Sequence, residues 1–170
     1  PIIKFVKKNK IFLIEDCSQA HGAVYKNKKI GSFGDISTWS FCQDKIISTG
    51  GEGGMISTNN KKLWHKCWSL KDHGKNFYSI HFKKHKTGFK WLHDNLGSNY
   101  RMTEMQAVIG RIALKRLPSW VNQRQKNATV LRSAIGNCKE LSSPLIPNNV
   151  KHSYYKFYCF IDWINLLVNV

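Results

Sequence analysis

The chain reads as an α/β protein with a mainly parallel sheet, and three observations predict this. A short continuous apolar run at 11–14 ends in the acids Glu15 and Asp16, the pattern of a strand buried on both faces. Further β-prone runs at 36–41 and 54–58 follow at short intervals. Amphipathic helical patterns then take over, at 61–72 and from Thr103 onward. With 170 residues, 42% of them apolar, the chain can build a respectable core and is not a disordered tail.

Each element has a local reason. Tyr25 to Lys29 carries the charge and turn chemistry of a solvated loop or short hairpin. Ile36 opens an alternating strand, and Gly54 opens another. Asn59 or Asn60 caps a helix at 61–72, with Leu63, Trp64, Cys67 and Trp68 on one face and Gly74 beyond its end. Residues 76–100 lose all periodicity and read as a long, basic, aromatic loop, the kind that serves function or assembly. Thr103 and Gln106 form a capping box, after which Met105, Val108, Ile109, Ile112 and Ala113 keep helical spacing.

Pro118 is expected to separate this helix from a second one at 119–135, ended by Gly136. Residues 142–149, with two prolines, read as a linker, and 155–162 as a first strand of something new. The expected division is therefore 1–117 for a large domain, 118–149 for a connecting helix and linker, and 150–170 for the start of a smaller domain. Pro1 stands where an initiator Met would, and 164–170 reads like an interrupted strand region, so the chain reads as the middle of a longer protein.

Composition narrows the function classes. The formal net charge of +17 raises a nucleic-acid partner, because clustered cations release phosphate counterions. Yet 22 of the 27 cations are lysines, and base and phosphate forks favour arginine. The lysines are also scattered, with one dense run from Lys83 to Lys90. The composition points away from nucleic acid. No apolar run approaches the ~20 residues that cross a bilayer. Five widely spaced cysteines without a C-x-x-C pair indicate no metal site, and fit reduced, mostly buried thiols of a cytoplasmic protein.

The chemistry gathers at Lys45, which sits between an apolar strand and the glycine-dense turn Gly50, Gly51, Gly53, Gly54. A lysine amine attacks an aldehyde only when unprotonated, so such a site is expected to depress its pKa. The turn lacks the Lys-Ser/Thr pair of a Walker loop and reads as the support of Lys45 rather than a phosphate cradle. Asp16 lies at the carboxyl end of the first strand, where α/β sheets collect ligands. Taken alone, Asp16 also reads as a helix N-cap, Gln19 as a plain polar contact and Ser40 as an ordinary strand serine.

Asp16, Gln19 three residues on, Ser40, and Lys45 five residues after Ser40 match a known pattern, as does the block Gly97, Asn99, Arg101. The chain resembles the DegT/DnrJ/EryC1/StrS family of pyridoxal-phosphate sugar aminotransferases, to about Phe160 but only over the middle of the family's chain. The resemblance implies fold-type I, with part of the large domain and the start of the small C-terminal one. It implies that Lys45 carries pyridoxal 5'-phosphate as a Schiff base and later moves protons as general acid/base. Asp16 would pair with the pyridine nitrogen, Gln19 would donate to the phenolic oxygen, and Ser40 would contact the phosphate. Asn99 would cross a dimer interface to the partner's cofactor phosphate, with Arg101 supporting that loop. His21 borders the pocket or sits satisfied in the core, and His73 carries no chemistry.

The implied activity is amino transfer from an amino acid, glutamate foremost, to a nucleotide-linked keto-sugar, in a cytoplasmic homodimer making amino sugars for surface polysaccharide or related glycoconjugates. Relatives that act as sugar dehydratases replace the lysine with histidine, and Lys45 argues against that branch. Cys17 and Ser18 stand where many relatives carry alanines. Two rival readings remain open: another pyridoxal-phosphate reaction on a sugar nucleotide, and a non-catalytic basic module that keeps the fold. A cofactor absorption band would separate catalyst from binder.

Overall fold

A computed structural model describes residues 1–90 and 92–162. The expectation for 164–170 lies outside these residues. Strands β1 (Ile14–Asp16), β4 (Ile36–Ser40) and β5 (Gly54–Ser57) form the central sheet in the order β1-β4-β5. β1 and β4 run parallel with Asp16 opposite Thr38, whereas β4 and β5 run antiparallel with Ser40 opposite Gly54. Among the described residues the expected mainly parallel sheet is thus a mixed one. The cause is the connection: 41–53 returns directly to the sheet, and a parallel neighbour needs a crossover, usually helical.

A short helix α1 (Ile2–Lys8), absent from the sequence expectation, precedes β1. The strand begins only at Ile14, and Ile11, Phe12 and Ile14 are 50%, 76% and 66% exposed. This corrects the strand expected to be buried on both faces. Among the described residues β1 pairs on one edge only, with β4.

Between these strands, β2 (Val24–Tyr25) and β3 (Lys28–Lys29) form a tight hairpin. Lys26 and Asn27 both adopt positive φ, 46° and 62°, which a two-residue turn between right-twisted strands favours. β7 (Val150–Lys151) adds to the far edge of β2, so the segment expected to open a new unit folds back on the first third of the chain. β6 (Leu141–Ser142) pairs with β8 (Phe160–Ile161), the ordered remnant of the strand expected at 155–162.

Helix α2 (Lys61–Lys71) starts as expected: the Asn60 side chain accepts from the N–H groups of Lys62 and Leu63. The expected loop at 76–100 is partly structured. It holds helix α3 (Phe77–His81), whose Phe77 packs edge-on against Trp64 and Trp68, with both centroid separations 5.0 Å. Its return limb then pairs with the end of α2 through Asp72 and Asn99. Gly74 takes φ +75° there, and a Cβ at Gly74 would collide with the Asn95 backbone.

Helix α4 (Glu104–Gly136) is one helix, not two. The capping box at Thr103 and Gln106 is present, and Pro118 lies inside the helix. A proline there removes the hydrogen bond to the carbonyl of Leu114, but Leu114 is 59% exposed, and water can serve the freed acceptor. Ala113 of α4 packs with Phe41 and Ile47 in the core, flanked by Trp39, Met102, Leu117 and Trp120. The core therefore sits directly beneath the turn that carries Lys45.

Of the cysteines, only Cys17 is buried; Cys42, Cys67 and Cys138 are half-buried and Cys159 exposed. That corrects the expectation of mostly buried thiols. No helix of the described residues is long and apolar enough to cross a membrane.

Candidate active site

Parallel pairing puts the last residues of β1 and β4, Asp16 and Ser40, at the same, carboxyl, end of the sheet. Successive strand side chains point to opposite faces, so Glu15 and Asp16 have different fates. The Glu15 carboxylate turns into the 31–34 loop and accepts backbone N–H groups from Phe33 at 2.7 Å, Gly34 at 2.8 Å and Gly31 at 3.0 Å. Burial alone would raise its pKa, but these hydrogen bonds prevail and hold it below the usual value. Glu15 is committed to structure.

Asp16 instead faces outward and is exposed. Its carboxylate accepts the Ser18 N–H at 3.0 Å, and the Ser18 hydroxyl and backbone, with a smaller contribution from the charge of Lys45, keep its pKa low. It is therefore ionised and within electrostatic reach of Lys45. Gln19 is exposed in the turn that follows, and Ser40 uses its hydroxyl to accept the Cys42 N–H at 3.3 Å.

Lys45 rises from a turn tied back to β4. The Phe41 N–H donates to the Gly53 carbonyl at 2.7 Å, and the Lys45 N–H to the Cys42 carbonyl at 3.0 Å. Gly50 and Gly51 take φ of +78° and +135°, so the reversal needs both glycines. From α4, Gln106 donates to the Glu52 carbonyl at 2.9 Å and fixes the far limb.

The Lys45 side chain is only 14% exposed. Its Nζ donates to the Tyr155 hydroxyl at 3.4 Å, lies 3.6 Å from the Asp44 carboxylate and sits 4.8 Å above the Tyr155 ring. The Tyr155 hydroxyl in turn donates to Asp44. Desolvation pushes the amine's pKa down, but Tyr155 and Asp44 outweigh it and raise it. The expected depression of the Lys45 pKa is thus reversed in this conformation, because its nearest neighbours are a carboxylate and a hydroxyl rather than cations. Sequence reasoning missed both partners. Asp44 adjoins the lysine and was visible as an acid, but nothing local pointed to Tyr155.

His21 is 2% exposed, between Trp39 and Phe41 at centroid separations of 5.5 and 5.9 Å. Among the described residues neither ring nitrogen has a partner in hydrogen-bonding geometry. Burial lowers its pKa; the nearby Ser40 backbone opposes this weakly, and the charge of Lys45 adds to it. His21 is a neutral core residue, and not a satisfied one.

Asn99 and Arg101 form a separate exposed group. Arg101 Nε donates to Asn99 Oδ1 at 3.0 Å and lies 3.6 Å from the buried Asp72 carboxylate, which also binds Lys75 at 3.0 Å. The Arg101 guanidinium also lies 3.5 Å from Nε2 of His73. The structure thus puts Asp16 and Ser40 at the carboxyl end of the parallel strands, with Lys45 in the turn just beyond, and leaves Asn99 on an exposed loop.

The chain is similar to known proteins in both sequence and fold. The model of the DegT/DnrJ/EryC1/StrS aminotransferase family matches residues 1–165. A GDP-perosamine synthase of Escherichia coli O157:H7 is 35% identical over 154 residues, covering 91% of this chain and 39% of that protein. A UDP-N-acetyl-3-dehydro-alpha-D-glucosamine 3-aminotransferase of Acidithiobacillus ferrooxidans is 33% identical, covering 92% of this chain and 39% of that protein. The X-ray structure of an aminotransferase from Psychrobacter cryohalolentis superposes with a TM-score of 0.91 at 46% identity, over 96% of this chain and 44% of that one. The chain spans about two-fifths of the length of the curated relatives it matches, 39% in both cases. Sequence and α/β fold agree, and the chain belongs to the DegT/DnrJ/EryC1/StrS aminotransferase family.

Proposed function

We propose that the full-length protein is a pyridoxal-phosphate-dependent aminotransferase. It moves an amino group from an amino-acid donor, glutamate foremost, to a nucleotide-linked keto-sugar in polysaccharide or related glycoconjugate synthesis. One observation carries the reading. An ionised Asp16 and a Ser40 hydroxyl share the carboxyl end of the sheet, and the Lys45 amine lies in the turn immediately beyond, within electrostatic range of Asp16. The names of the relatives, one acting on a GDP-linked and one on a UDP-linked sugar, support the substrate class.

The donor set fits pyridoxal phosphate. A carboxylate that stays ionised suits a protonated pyridine nitrogen, the Ser40 hydroxyl suits the phosphate, and the exposed Gln19 amide suits the phenolic oxygen. When bound, the cofactor supplies an aldehyde to capture amines and a ring that takes up electron density. Lys45 would hold it and, once displaced by the donor amine, move the proton to and from the donor's Cα. Asp16 would keep the ring nitrogen charged.

Asn99, on its exposed loop, would serve the partner's phosphate in a cytoplasmic homodimer with shared sites, and Arg101 would brace it. The proposed division is 1–117 for part of the large domain, 118–149 for the connecting helix and linker, and 150–170 for the start of the small domain; α4 runs as one helix across its first boundary. Borohydride reduction of the full-length holoenzyme followed by peptide mapping tests the reading. The pyridoxyl group is expected on Lys45; its recovery on another lysine overturns the assignment.

A further inference from the structure

Tyr155 reaches Lys45 across 110 residues of sequence, and its placement is held by several contacts. Tyr154, immediately before it, adopts φ +49°, a left-handed conformation that a bulky residue takes only when its surroundings impose it. The surroundings here are specific. From α4, Arg124 donates to the carbonyls of Tyr154 at 3.1 Å and Tyr155 at 3.3 Å, and Gln125 donates to the His152 carbonyl at 3.0 Å. The Tyr154 N–H closes the turn on Nδ1 of His152 at 3.1 Å. Tyr155 is 9% exposed, and its hydroxyl is shared between the Asp44 carboxylate and the Lys45 amine.

We propose that Asp44 and Tyr155 form a dock for the free amine of Lys45, with Arg124 as the clamp that aims Tyr155. Both are positioning residues. They would park the amine in its charged, unattached state beside a carboxylate and an aromatic ring, two groups that each favour a cation. Leaving the dock requires the amine to give up this pairing. The dock would therefore set how readily Lys45 becomes a nucleophile, and tie that readiness to the placement of the segment after the linker. The inference rests on the reading of Lys45 as the reactive lysine.

The dock can be tested without the reaction. Full-length protein stripped of cofactor is labelled with trace acetic anhydride over a range of pH, and acetylation of each lysine is read by mass spectrometry. Only the neutral amine reacts, so the profile reports how firmly each amine holds its proton. Lys45 is expected to label at a higher midpoint pH than the exposed lysines. Asp44→Asn should move that midpoint down and speed labelling at pH 8 by about threefold or more. Tyr155→Leu should act in the same direction, and Arg124→Gln more weakly.

Asp44 is a half-exposed side chain, so Asp44→Asn should fold even if Tyr155→Leu does not. An Asp44→Asn profile identical to wild type, or a wild-type Lys45 that labels like the exposed lysines, overturns the dock. Labelling does not depend on where the cofactor attaches. A shifted midpoint together with a pyridoxyl group mapped elsewhere keeps the dock and removes the functional reading; the reverse pair of results does the opposite.

Discussion

Glu15 accepts the backbone N–H of Phe33 at 2.7 Å, while its neighbour Asp16 accepts only from Ser18 and remains exposed. Two adjacent acids at a strand end thus do different work. One closes the loop that delivers β4, and the other is left facing the site. The period of two along a strand separates them, and the 31–34 loop decides which is consumed.

That division gives a stability prediction. Glu15→Gln keeps the shape but replaces charge-assisted acceptors with one neutral carbonyl, leaving backbone donors under-served. Urea unfolding of the full-length protein at pH 7 should show a loss of about 2 kcal/mol. The folded pKa of Glu15 is lowered, so its contribution is present above the usual glutamate range and lost as pH falls through the folded value. Below that point wild type and Glu15→Gln should converge. Equal stability at pH 7 would contradict the assigned role.

Asp16→Asn addresses the exposed acid. The neutral amide should leave attachment of the cofactor to Lys45 intact, because Asp16 does not touch the amine. Turnover should fall by about a hundredfold or more, since an amide cannot keep the ring nitrogen charged. Cofactor content from absorbance, with steady-state kinetics, separates the two effects. Near-normal turnover would leave Asp16 only its turn-capping bond to Ser18.

His21 carries a pH signature. Burial lowers its pKa, so the folded state favours the neutral ring. Its contribution is present above the unfolded value near 6.5 and is lost as pH falls through the folded value. His152, also lowered, acts in the same window, so the comparison must be wild type against His21→Phe. Phenylalanine suits the space between Trp39 and Phe41 and leaves no orphaned nitrogen. The variant should match or exceed wild-type stability at pH 7.5, and its advantage should widen by about 1 kcal/mol or more at pH 5.5. A variant that loses stability equally at both pH values would mean the ring nitrogens have partners in the full-length protein.

Asn99 tests assembly. If its loop serves a neighbouring site, each site needs two chains, and a two-fold dimer makes the contact twice. Lys45→Ala and Asn99→Ala proteins should each be severely impaired alone. Mixed under conditions of subunit exchange, they should regain activity, because one of the two heterodimer sites receives both intact groups. Absence of recovery, with exchange verified by mass, would assign Asn99 to its own chain.

Much of this was legible in the sequence. The cap at Asn59 or Asn60, the Thr103 cap, the glycine reversal beyond Lys45, the loop or short hairpin at 25–29 and the spacing that identified the family are local signals. Neighbouring residues suffice to specify them, because a cap or a tight turn satisfies its hydrogen bonds within a few positions. What only the tertiary structure decided is equally definite. Pro118 stayed inside one helix because the carbonyl it frees lies on an exposed stretch. The expected parallel sheet became mixed because 41–53 returns without a crossover. Lys45 gained Tyr155 as a partner because α4 clamps a strained segment more than a hundred residues away against the turn. Contacts of that separation depend on how elements pack, and packing leaves no periodicity in either of the segments it joins.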